Sequence, residues 1–124
     1  MSQIDSGNFG AYLDSMQRAY RELREKGLDL FEYSTDTADF VVPMPIDEGR
    51  RVKEDGSLEL TTRDISFFME HGYSEVFIAK VSEGDLKIRP YSKAGSLHTS
   101  VLSAIERANN GERTRVHEVD LDLH

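Results

Sequence analysis

The residues best suited to holding a ligand lie in RPYSKAGSLHTS, residues 89–100. Arg89 and Lys93 supply positive charge, and Ser96, His98 and Thr99 supply polar groups at the start of a helix. Unpaired backbone N–H groups at a helix start attract anions, so this segment predicts a phosphate or carboxylate ligand. The order is not that of a P-loop, because G-x-x-x-x-G-K-[ST] is absent. An ordinary loop closed by a serine cap accounts for the same residues.

Other chemistry finds less support. His71, His98, His117 and His124 form no pair at the i, i+4 or i, i+2 spacing that places two imidazoles on one metal. In the alternating tail VHEVDLDLH, His117 faces away from Asp120 and Asp122. Asp36-Thr37-Ala38-Asp39 lacks the glycine and terminal Glu of a calcium loop. There is no G-x-S-x-G elbow, and no two acids are singled out as a catalytic pair. No catalytic residue, metal or cofactor is assigned, and the sequence leans away from an enzyme.

Charge is the more pronounced feature. The chain has 124 residues, a net charge of −8 and no cysteine. Disulfides, cysteine-based zinc sites and thiol chemistry are excluded, and the composition fits a reducing compartment. The opening MSQIDSGNFG has no basic or apolar run, so no secretory signal is expected there. No apolar stretch approaches the roughly 20 residues that span a bilayer, and the expectation is a soluble, cytoplasmic protein. Phosphate backbones repel such a chain, which disfavours direct nucleic-acid binding and favours a basic protein or effector segment as partner.

The acids concentrate in LDLFEYSTDTADFVVPMPIDE, residues 28–48, which holds Asp29, Glu32, Asp36, Asp39, Asp47 and Glu48 and no Lys or Arg. The same segment is rich in strand formers. The spacing predicts a β-hairpin with a turn at residues 34–37, an aromatic face built on Tyr33 and Phe40, and pairing that ends at Pro43-Met44-Pro45. These eight residues, the six acids with Tyr33 and Phe40, form the candidate partner-binding surface, with the aromatics as apolar anchors.

Other elements must hold this hairpin in place. Residues 9–26 predict an amphipathic helix capped by Ser6 or Asn8 and stopped by Gly27. Residues 50–61 predict a second hairpin about Asp55-Gly56. Thr61 and Asp64 form a capping box for a short helix that ends at Gly72. Residues 74–91 predict another hairpin turning at Glu83-Gly84. Residues 96–109 predict a last helix, capped by Ser96, and 116–124 an edge strand or frayed tail. The expected fold is one α+β domain, an antiparallel sheet of about four to six strands in the order α-ββ-(ββ)-α-ββ-α-(β). Two longer helices and one short one are expected to pack mainly on one face. Ile65, Phe67, Phe68 and Met69 crowd the short helix, and one of them reaching a surface would give a homodimer contact.

The element order and acidity resemble those of type III secretion chaperones over most of the chain, with no residue motif carrying the likeness. That resemblance implies a dimer through the short middle helix and an effector segment wrapped on the sheet. The residues themselves favour a non-catalytic interaction module: an acidic inhibitor, immunity protein or anti-defence factor. A small anion-binding domain using residues 89–99 is the remaining class.

Overall fold

The computed structural model describes residues 2–94 and 99–115, with side chains described for residues 10–94 and 101–115. Among the described residues four helices and four strands follow one another as α1 (Ser2–Glu25), β1 (Leu28–Ser34), β2 (Asp39–Pro45), α2 (Thr62–Glu70), α3 (Glu75–Ser82), β3 (Ile88–Pro90), α4 (Thr99–Ala108) and β4 (Thr114–Arg115). The strands form one antiparallel sheet in the order β3-β1-β2-β4. The fold is α+β, as the sequence predicts.

The central hairpin pairs along its whole length, from Ser34↔Asp39 to Leu28↔Pro45. The expectation that Pro43 ends the pairing is corrected by the parity of the ladder. Ile46 N–H donates to Gly27 O at 2.8 Å, which places the N–H groups of even-numbered β2 residues toward β1. Pro43 and Pro45 therefore point their ring nitrogens the other way. There β4 reaches only Phe40 and Val41, so no donor is missed.

Residues 41–45 of β2 are buried in succession. Adjacent strand residues point to opposite faces, so the centre of the sheet is covered on both sides rather than mainly on one. Cover comes from α4 on β1, β2 and β4, from α1 on β1 and α4, and from α2 on β2. Tyr33, Phe68, Tyr73 and Phe77 form a ring cluster with centroids 4.9–5.2 Å apart, which ties α2 and α3 to β1. Buried rings of this size contribute about 1.5–3 kcal/mol each.

Residues 75–82 form a helix where a strand is expected. The run Val76-Phe77-Ile78-Ala79 is apolar at both periods, so periodicity does not separate the two. The ends decide. Ser74 Oγ accepts the N–H of Phe77 as an N-cap. Gly84, at φ +86°, closes a Schellman motif in which Gly84 N–H bonds Val81 O and Asp85 N–H bonds Lys80 O. The helix buries Phe77 and Val81 and leaves Val76 exposed.

One further boundary differs. Helix α1 starts at Ser2, which places Ser6 and Asn8 inside it rather than at its cap. The segment 50–61 forms the expected polar hairpin in short form, with Val52↔Leu58 bridged, Lys53 N–H on Ser57 O, Glu59 N–H on Arg51 O and the turn at Asp55-Gly56, but it does not join the sheet. It is pinned instead by Leu58 N–H on Ile88 O and by the ion pair between Asp55 and Lys87. The capping box forms as expected: Thr61 Oγ1 accepts from Asp64 N–H, and the Asp64 carboxylate accepts from Thr61 N–H. That carboxylate also takes both arms of Arg50 in an ion pair, with side-chain exposures of 5% for Arg50 and 0% for Asp64. Arg50 donates further to Pro45 O and Glu59 O, so one guanidinium joins the end of β2, the following loop and α2. The expected cap Ser96 and the tail 116–124 lie outside the described residues.

Candidate functional site

The acids of residues 28–48 do not share one environment. Asp29 is half-buried and bonded to Tyr20 Oη and Arg24 Nη1, each at 2.7 Å, so it serves the α1–β1 junction. Glu32 stands opposite Arg89 on β3. Asp47 is half-buried and accepts the N–H of Gly49. Asp36, Asp39 and Glu48 are exposed and have no ion-pair partner among the described residues. Asp36 and Asp39 sit at the hairpin tip, while Glu48 lies beyond the other end of β2, roughly 20 Å away for a strand of that length.

The tip is held by its own side chains. Thr35 Oγ1 accepts from the N–H groups of Thr37 and Ala38, and Ser34 Oγ donates to Asp39. Thr35 N–H closes the turn on Ala38 O at 2.8 Å. Of the two aromatics, Tyr33 is 1% exposed and stacks on Phe40 with centroids 5.2 Å apart. Phe40 is half-buried and carries the Arg113 guanidinium over its ring. The surface anchor beside the tip is therefore Phe40 with Arg113, and Tyr33 is core.

The residues 89–99 group is only partly described. Arg89 is exposed on the edge strand β3 and donates weakly to Asp55 O. Lys93 is half-buried in the turn that follows. Thr99 opens α4, and Ser96 and His98 lie outside the described residues.

Sequence reasoning missed a groove. The C-terminal ends of α1, α2 and α4 converge, bringing Lys26-Gly27, Glu70-His71, Asn109 and Gly111 around a cavity of about 450 Å³. Leu28, Pro45 and Phe67 give it apolar surface, and Arg63 and Ser66 complete the α2 wall. Lys26 Nζ bridges two of the helix ends by donating to Asn109 O at 2.8 Å. A second hollow of about 390 Å³ adjoins it across His71 and Gly111, and Tyr73, Glu112 and Arg113 line it.

His71 is fixed by geometry. Its ring lies 4.1 Å from that of Phe67, and Nδ1 is 2.9 Å from Phe67 O. A carbonyl only accepts, so Nδ1 carries the proton and donates. Gly111, at φ +78°, fits against this ring, since a Cβ there would come within 1.9 Å of His71 Cδ2. No such proximity is readable from residues forty positions apart.

The phenols around the second hollow are poor proton carriers. Burial pushes the Tyr33 hydroxyl above its usual pKa, against the hydrogen bond from Arg113 Nη1 at 2.7 Å. Burial, reinforced by Tyr33 nearby, pushes Tyr73 up further. Both stay neutral at ordinary pH; the Tyr33 hydroxyl accepts from Arg113, whereas the buried Tyr73 hydroxyl has no hydrogen-bond partner among the described residues.

Comparison with protein-family models, curated proteins and solved structures finds no match. The observed element order, with α3 in place of a strand, also differs from the order on which the resemblance to secretion chaperones rests.

Proposed function

We propose that this protein is a non-catalytic binding module that presents the tip of its β1–β2 hairpin to a basic surface of a partner protein, as an inhibitor or immunity protein does. The observation that carries this reading is the pair Asp36 and Asp39. Both are exposed, both lack a cationic partner among the described residues, and both stand on a turn fixed by Thr35. Charge on a pre-ordered turn steers encounter and sets specificity without an ordering cost on binding. Phe40, half-buried beside Asp39, supplies apolar contact.

The test compares two charge reversals, Asp36→Lys with Asp39→Lys, and Asp47→Lys with Glu48→Lys, in capture of a basic protein from the source cell's lysate. The tip reversal is expected to cut capture about tenfold or more, and the other reversal to leave it within about twofold. Equal capture by wild type and the tip variant overturns the reading. Light scattering on the same samples measures self-association. A dimer through α2 would rest on exposed Met69 and half-buried Ile65, because Phe67 and Phe68 are core.

A further inference from the structure

We infer that the groove between the ends of α1, α2 and α4 is a binding site for a small organic carboxylate with an apolar body. It is separate from the hairpin tip and does not rest on the function proposed for that tip.

Local charge opposes global charge here. Among the described lining residues Lys26 and Arg63 carry positive charge and Glu70 is the one acid, in a chain of net charge −8. Lys26 is already engaged by Asn109 O and, at 3.7 Å, by Glu22. Arg63 is exposed on the first turn of α2 and has no ion-pair or hydrogen-bond partner among the described residues. An unengaged guanidinium at a cavity mouth matches a carboxylate, which it can grip with two parallel N–H donors. Ser66, on the next turn, adds a hydroxyl to the same wall.

The rest of the cavity selects against a bare anion. Leu28, Pro45 and Phe67 are largely buried and turn their remaining apolar edge to the cavity, whose volume of about 450 Å³ falls in the usual range for small-molecule sites. Inorganic phosphate would leave that surface uncovered. An aliphatic or aromatic acid covers it while its carboxylate meets Arg63. His71 is locked on Phe67 and Gly111, so the wall is formed before a ligand arrives.

The experiment titrates hexanoate, hexanamide and inorganic phosphate into the whole protein and follows backbone amide signals. Hexanoate is expected to shift residues 26–28, 63–71 and 109–111 saturably, with a dissociation constant on the order of 1 mM. Hexanamide and phosphate are each expected to bind about tenfold more weakly. Arg63→Gln, at an exposed position that leaves the fold intact, is expected to weaken hexanoate about tenfold. Glu70→Gln is expected to tighten it about twofold, by removing a like charge from the rim. No saturation by about 20 mM hexanoate overturns the site. Phosphate binding as well as hexanoate overturns the ligand class. Unchanged hexanoate affinity in Arg63→Gln overturns the anchor.

Discussion

The hairpin tip and the groove are opposites in how they are made. The tip is contiguous: Ser34 to Asp39 fold back on themselves and bring their own charge. The groove is assembled from residues 26–28, 63–71 and 109–111, which meet because three helices end at one place. The tip lies in a segment without Lys or Arg, yet in space that segment is met by Arg24, Arg89 and Arg113. The groove belongs to an acidic chain, yet bases outnumber acids along it. Asp5, Glu118, Asp120 and Asp122 lie outside the described side chains and account for half of the net charge, since neither end segment contains Lys or Arg. Charge counted along a chain thus says little about the charge a partner meets.

The largest loss of stability is expected at the groove end of β2, far from the tip. Asp64→Ala strands the buried Arg50 guanidinium and removes half of the α2 capping box. Leaving a buried charge unpaired costs about 3–5 kcal/mol. Urea denaturation should show a loss of unfolding free energy of that size, and amide signals should shift both at Ile46, beside the Pro45 carbonyl that Arg50 holds, and along the α2 wall. Replacing both partners with apolar residues, Arg50→Met with Asp64→Leu, should cost less than the single change. A single-mutant loss below about 1 kcal/mol would show that the ion pair does not hold the end of β2 to α2.

The next change is expected to touch the groove alone. Gly111→Ala forces an L side chain into the left-handed region, at about 1–2 kcal/mol, and drives its Cβ into His71. His71 must swing off Phe67 O, losing about 1 kcal/mol more. The sum is about 2–3 kcal/mol, and His71→Ala with Gly111→Ala should show only the backbone part beyond His71→Ala alone. Amides at residues 34–39 should not move. If they do, tip and groove are coupled and the contrast between them fails.

Why one region was legible and the other not follows from locality. The hairpin, the Thr61–Asp64 capping box and the helix stops at Gly27 and Gly72 are written within a few residues of themselves. Helix α3 is written locally as well, in Ser74 and Gly84. The same Glu83-Gly84 pair also reads as a hairpin turn, and the apolar run beside it fits both periods. The prolines of β2 mislead because ladder parity depends on which neighbour pairs where, and β4 stops short of them. The burial of Tyr33 depends on Phe77, which sits in the helix that was expected to be a strand. The groove needed the positions of three helix ends at once, and no single segment carries them. The contact of His71 with Gly111 has no local signature at all.

A smaller effect separates the rest of the molecule from both regions. Lys87 and the hydroxyl and N–H of Ser57 hold the Asp55 carboxyl well below its usual pKa of 3.8. A carboxyl depressed in the folded state stabilises the protein above its unfolded pKa, and that contribution fades as pH falls below it. Asp55→Asn should therefore lower stability at pH 7, modestly because the pair is exposed, and leave it near wild type at the lowest pH, so that the acid limb below about pH 4 flattens. An unchanged acid limb would mean that the loop at residues 50–61 is held by Leu58 and not by charge.

The smallest stability effect is expected at the tip, and there the contrast is decided. Asp36→Lys with Asp39→Lys removes the acceptor of Ser34 Oγ but leaves Thr35 and its bonds to Thr37 and Ala38 in place. Surface changes of this kind lie within about 0.5 kcal/mol. The urea midpoint should hold, and hexanoate should bind the groove as it does in wild type. If the reversal instead lowers stability by more than about 1 kcal/mol, the tip charges are part of what folds the hairpin. Their exposure would then serve β1 and β2 rather than a partner. If stability holds and capture of the basic protein is lost, the molecule carries two surfaces of opposite sign. One is written in a single turn of chain, and the other exists only once the chain has folded.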